Sequence, residues 1–199
     1  MNNGKQKGNT RRMTGLAIFT AIIVVLQVLC TFVRFGPFSI TLALAPIIIA
    51  TAIYGKGAGA YLGGVFGLVV LITGLLGWDG GTVMLLLGLN PIGCILICIG
   101  KGILAGYLSG LAYRAIEKKS PLAAVVTAGI VCPVVNTGLF ILGMLVFYGS
   151  TLQSWAGGQN VIYYAIFGLA GINFVVELLV NLVLSSGITT VIKYAASRR

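Results

Sequence analysis

Histidine is absent from this chain, and aspartate and glutamate together number three against thirteen lysines and arginines. Without histidine, the imidazole ligands of many zinc sites and the usual partner of an intramembrane serine nucleophile are missing. With Asp79 as the one aspartate, the acidic clusters by which phospho-alcohol transferases hold metal ions are missing too. The cysteines, Cys30, Cys94, Cys98 and Cys132, all fall in apolar runs without metal-ligand spacing, which assigns them to packing. These absences argue against an enzyme, and neither a metal nor a cofactor is expected. Charged residues make up 8% of the chain, too few to cover a soluble surface.

What is abundant is apolar sequence. Hydrophobic residues account for 58% of the chain and the mean hydropathy is +1.07, with long apolar runs separated by short polar breaks. That composition is a polytopic membrane protein, and 199 residues leave room for about six spanning helices of roughly 20 residues each. The net charge of +10 would suggest nucleic acid in a soluble protein, but here the placement of the basic residues marks topology. Lys5, Lys7, Arg11 and Arg12 precede the first run, Lys56 lies in the second connection, Arg114, Lys118 and Lys119 in the fourth, and Lys193, Arg198 and Arg199 at the end. The intervening connections hold Arg34 and Asp79. By the positive-inside rule both termini are expected in the cytoplasm, the first run being a retained helix and not a signal peptide. The expected fold is therefore all-α: a basic tail at 1–12, one bundle of six transmembrane helices at 13–193, and a basic tail at 194–199. The partner this implies is a lipid bilayer, not nucleic acid.

The helices are expected near 13–33, 39–54, 58–76, 86–113, 121–148 and 162–192. Pro46 should kink the short second helix or mark a re-entrant bend. Turns are expected at Gly36-Pro37, Gly77 to Gly81, Ser120-Pro121 and Gly157-Gly158. Connections 1, 3 and 5 are the longer ones, and Trp78 and Trp155 mark them as interfacial or lid segments. Two glycine ladders, Gly55, Gly59, Gly63 and Gly67, and Gly102, Gly106 and Gly110, form small faces that let helices approach closely, most simply within the monomer. Ala17 and Ala21 form a shorter face on the first helix, for which a partner protein competes with internal packing. GCILICIGKG at 93–102 lacks the spacing and the Ser or Thr of a phosphate loop. Asn90-Pro91 stands alone and reads as a helix cap or an outward-facing turn.

NFVVELLVN at 173–181 puts Asn173, Glu177 and Asn181 at i, i+4 and i+8, on one stripe of the last helix. An ionised side chain at mid-membrane costs about 2.5–3.5 kcal/mol on insertion scales, so such residues face a cavity or a partner. A rise of about 1.5 Å per residue puts Asn173, Glu177, Asn136 and Lys101 in one layer, roughly 15–20 Å below the outer ends of their helices. Two readings fit. Lys101 and Glu177 can form a structural salt bridge with asparagines bonding between helices, or the layer can line a solute site open to the outside.

The layout resembles a known family. PFSITLALAPIIIATAIYGKGAGAYLGGVFG at 37–67, NPIGCILICIGKGILAGYLSGL at 90–111 and CPVVNTG at 132–138 are similar to the substrate-binding S components of energy-coupling factor (ECF) vitamin transporters. The matching branch is the one with riboflavin, folate and pantothenate members, and Ala17-x-x-x-Ala21 looks like that family's coupling element on helix 1. The resemblance implies a bacterial cell-membrane subunit that binds a vitamin-like small molecule from outside. It also implies a pocket of helices 4 to 6 closed by the outer loops, with Trp78, Asp79, Asn90, Lys101, Asn136, Asn173, Glu177 and Asn181 as candidate contacts. Ala17 and Ala21 would dock on a membrane coupling subunit, and two separate cytoplasmic ATPase subunits would supply the energy. Pantothenate is the first expectation, with Lys101 as carboxylate partner; riboflavin, folate, another heterocycle, and a self-sufficient homo-oligomeric carrier or channel stay open.

Overall fold

The computed structural model describes the backbone of residues 3–35, 38–39 and 41–197, and the side chains of 10–33, 41–171, 173–184, 187 and 190. The turn expected at Gly36-Pro37 and the terminal Arg198-Arg199 lie outside the described residues, as do the side chains of Lys5, Lys7, Arg34 and Lys193. The fold is all-helical apart from one two-stranded ladder. Helix α1 runs Asn3–Thr31 and is followed by β1 (Arg34–Phe35) and β2 (Phe38–Ser39), then α2 (Leu44–Tyr54) and α3 (Lys56–Leu75). Next come α4 (Thr82–Leu89) and α5 (Pro91–Ile95), the latter passing through a π-helical stretch, Leu96–Gly100, into α6 (Lys101–Ile116). The chain continues with α7 (Pro121–Phe147), α8 (Gly149–Ala156) and α9 (Val161–Tyr163), which runs through a second π stretch, Tyr164–Ala170, into α10 (Gly171–Ser197).

Four of these segments, Thr10–Thr31, Lys56–Leu75, Pro91–Ile116 and Pro121–Phe147, are long and apolar enough to cross a membrane. Val161–Ala170 and Asn173–Leu184 make a fifth if the pair, bent by 46°, is one span. Large apolar side chains crowd the outside: Met13, Val25, Leu29, Phe32, Ile92, Leu142, Val146, Phe167 and Val183 are all at least half exposed. In water such a surface would drive aggregation; in hydrocarbon it is the expected exterior.

Several boundaries differ from the sequence reading, each for a physical reason. The second helix starts at Leu44 rather than 39, because Arg34–Phe35 and Phe38–Ser39 pair as the ladder Arg34↔Ser39 and Phe35↔Phe38. Pro46 consequently sits in the first turn of α2, where its missing N–H would have had no helical acceptor. The fourth helix is interrupted: α4 ends at Leu89, Asn90 adopts an extended backbone, and α5 begins at Pro91 with Asn90 Oδ1 accepting from Gly93 N at 3.0 Å. Tyr148, 2% exposed, holds this junction from the end of α7. Its hydroxyl donates to Leu86 O at 3.1 Å and Asn90 O at 2.6 Å. The basic stretch expected as a tail is helical back to Asn3. Helix α8 had no counterpart in the sequence reading; it buries Leu152 and Ala156.

The two glycine ladders pack on each other. A Cβ built on Gly63 would overlap the carbonyl of Gly102, and one on Gly102 the carbonyl of Gly63; Gly59 and Gly106 stand in the same relation, and Gly67 meets Cys98. Helices α3 and α6 therefore touch backbone to backbone, as small-residue faces allow. One buried cluster, with Ile23, Leu44, Ile47, Leu62, Phe66 and Val125, fills one half of the bundle. A second, with Val83, Cys94, Ile97, Phe140, Met144 and Leu152, fills the other. The cysteines are free and buried, as packing requires. At one end of the bundle the basic side chains gather: Arg12 donates to Tyr54 O at 3.5 Å, and the Arg114 guanidinium lies against Gly55.

Two consequences can be measured. Gly63→Ala and Gly102→Ala are each expected to cost about 3 kcal/mol, because the overlap is with backbone that cannot turn aside. Gly57→Ala, where a methyl meets nothing within 4 Å, should leave the melting temperature of the detergent-purified protein unchanged. Tyr148→Phe should cost about 1 kcal/mol by removing the hydroxyl from two buried carbonyls, read as earlier thermal unfolding at unchanged helicity.

Candidate functional site

The polar residues of the apolar spans meet in one cavity of about 80 Å³ between the two clusters. Its lining takes Lys101 from the first turn of α6, Asn136 and Thr137 from α7, and Asn173 and Glu177 from α10. Gln27 of α1, Thr41, and Asp79 from the loop before α4 complete its polar wall. Phe66, Val70, Val83, Phe140, Leu169 and Ala170 supply the apolar part.

Both π stretches abut this cavity. Lys101 is the first residue after Leu96–Gly100, while Leu169 and Ala170 end Tyr164–Ala170 and Asn173 follows within one turn. A π turn inserts a residue into the helical count and rotates everything beyond it, which is why such turns recur at functional sites. Pro133, inside α7 one turn before Asn136, further loosens the ladder of backbone bonds on that wall.

The electrostatics are unlike those of a closed core. Glu177 is 4% exposed and Asn136 4%, yet Glu177 Oε2 and Asn136 Oδ1 have no hydrogen-bond partner among the described residues. The Lys101–Glu177 bridge weighed from sequence therefore does not close on that oxygen, although Lys101, Thr41 and Asn136 all act on the carboxyl. The Lys101 ammonium stands over the Phe140 ring, 5.1 Å from its centroid, a cation–π contact that leaves N–H donors for another acceptor. Asp79 is committed differently: its carboxylate accepts from Gly81 N at 3.0 Å and Val83 N at 2.8 Å, starting α4.

Of the residues singled out from sequence, Asp79, Lys101, Asn136, Asn173 and Glu177 are brought together on the cavity. Asn181 is 2% exposed but lies one turn beyond it, outside the lining. Asn90 is a helix cap, and Trp78 packs on Phe32 with ring centroids 5.7 Å apart; neither reaches the cavity. Gln27, Thr41 and Thr137 were passed over. For Gln27 the signal was present, an amide in an otherwise apolar run, and the rule applied to Glu177 would have found it. Ala17 and Ala21 are exposed on α1, beside Ile18 at 55% and Ile22 at 40% exposure.

Residues 11–193 match the family described as ECF transporter, substrate-specific component. The chain is 29% identical over 184 residues to the pantothenic acid transporter PanT of Lactococcus lactis subsp. cremoris, covering 87% of this chain and 89% of that one. The solved structure of ThiT from Listeria monocytogenes superposes with a TM-score of 0.61, covering 96% of this chain and 97% of the other at 18% identity, a likeness of fold.

Proposed function

The chain belongs to the substrate-specific components of ECF transporters, and on that premise we propose that it is the pantothenate-binding subunit of such an importer in a bacterial cell membrane. The observation that carries the substrate is the chemistry of the cavity. A single cation, Lys101, shares it with the buried acceptors Asn136 Oδ1 and Glu177 Oε2, which have no partner among the described residues. The complementary ligand has one anionic group for the ammonium and hydrogen-bond donors for the acceptors. Pantothenate is such a molecule, with a carboxylate at one end and hydroxyls and an amide N–H along the rest. The similarity to PanT points the same way. A flat heterocycle finds no stack of aromatic rings among the lining residues, whose rings are Phe66 and Phe140.

In this reading the chain crosses the membrane six times with both ends in the cytoplasm. Helix α2, at 11 residues, spans about 16 Å at 1.5 Å per residue, so the stretch before it completes that crossing. The basic end with Arg12, Lys56 and Arg114 then faces the cytoplasm, and the loop carrying Asp79 closes the outer mouth. The cavity of about 80 Å³ is smaller than a vitamin, so binding is accompanied by widening at that mouth. Ala17 and Ala21, exposed on α1, form the docking face for a membrane coupling subunit, and separate ATPase subunits drive the cycle.

Asn136→Ala and Glu177→Ala should each weaken pantothenate binding at least about tenfold, or about 1.4 kcal/mol, in titration calorimetry of the folded, purified protein. Unchanged affinity in both would remove the cavity as the substrate site. Replacing Ala17 and Ala21 with leucine should abolish ATP-dependent uptake in vesicles containing the coupling module while leaving binding by the isolated chain intact. Loss of binding as well would make those alanines internal packing.

A further inference from the structure

One wall of the cavity comes from α1, a helix that neither the hydropathy pattern nor the family resemblance placed at the substrate. Gln27 stands on it four residues after Ile23 and is 1% exposed. It lines the cavity together with Thr41, Asn136, Asn173 and Glu177. Its backbone carbonyl is used within the helix, accepting from Thr31 Oγ1 at 2.8 Å. Its side-chain Oε1 is buried with no hydrogen-bond partner among the described residues.

A buried amide acceptor left unpaired is destabilising, and nothing in the packing of α1 demands an amide at this place. Ile23 and Cys30, on the same buried face, are apolar. Leucine has nearly the same volume and would fill the position without the penalty. The residue is explained if the missing partner arrives with the cargo.

We infer that Gln27 is a substrate contact that helps set specificity: its side-chain oxygen accepts a hydrogen bond from a hydroxyl or amide N–H of the bound molecule. This rests on the reading of the cavity as the substrate site. It enlarges that site from helices α6, α7 and α10 to include α1. A ligand that carries a donor at this place satisfies Gln27 on binding; an analogue of the same shape without the donor leaves it orphaned and is discriminated against. The same helix exposes Ala17 and Ala21 on another face, so substrate and coupling subunit would touch one rigid rod.

The test compares the full-length wild type with Gln27→Leu. Each purified protein is equilibrated with an equimolar mixture of pantothenate, riboflavin, folate and thiamin at limiting concentration. The compounds retained are quantified by mass spectrometry, and ligand-free melting temperatures are recorded in parallel. The expected result is that Gln27→Leu retains at least tenfold less of whichever vitamin the wild type holds, while its ligand-free melting temperature is equal or higher, because an orphaned acceptor has been removed. Equal retention overturns the inference. So does reduced retention accompanied by a lower ligand-free melting temperature, which would make Gln27 a structural residue. If the wild type retains a vitamin other than pantothenate, the pantothenate reading falls while the Gln27 comparison proceeds on the compound held. If it retains none, both fall.

Discussion

The contact on which the rest of this bundle depends is the one between the glycine faces of α3 and α6. Gly59 against Gly106 and Gly63 against Gly102 bring two backbones into direct contact, a closeness that hydrocarbon solvent cannot drive by the hydrophobic effect. Association in lipid relies on close packing, so helices without large side chains at their interface gain the most from it. This pairing fixes α6, and with it Lys101 in its first turn, relative to α3. The other helices assemble around that pair: α7 lies on α6, and α10 on α7 and α2. The cavity is the space these helices leave where their polar side chains meet.

The same apolar surroundings make the polar residues expensive and therefore informative. An unpaired carboxylate oxygen and unpaired amide oxygens would be unremarked at a protein surface in water. Inside a membrane bundle each is a standing cost that packing alone does not recover. Asp79 shows the contrast: its oxygens are engaged by the amides of Gly81 and Val83, so it both lines the cavity and starts a helix. Glu177 has no such occupation on Oε2 among the described residues. Residues of one chemical class thus divide into those the fold uses and those it leaves open.

How much of this was legible in the sequence follows from what leaves a mark in composition. Charges and amides in apolar runs are conspicuous, so Lys101, Asn136, Asn173 and Glu177 could be placed in one layer from helical rise alone, and the structure brings them to one cavity. Glycines at spacing four are equally visible, and the ladders pair as their spacing suggests. The π stretches at Leu96–Gly100 and Tyr164–Ala170 were not legible, since one extra residue in an apolar run changes neither composition nor hydropathy. The start of α2 was lost for a related reason, since continuous apolarity hides where one element ends and the next begins; Asn90-Pro91 was visible as a cap or turn, but not as a break in the fourth helix. Asn181 followed the periodicity of its helix but stands one turn past the cavity, because a stripe is longer than the site it crosses.

The backbone contact of α3 with α6 has a mechanical consequence. Two helices that meet without intervening side chains have no rotamers to exchange, so they move as one piece, and Lys101 moves with them. Asn173 and Glu177 belong instead to a segment bent by 46° near a π stretch, whose backbone ladder is already irregular. The cavity thus has one wall held by backbone contact and one wall on a bent helix. Under the proposed function a ligand held across it would bond to both, and a swing of the bent side would stretch all of the bonds it makes there together. On that proposal, grip and release would be set by the position of one helix, with no change needed in the chemistry of any side chain.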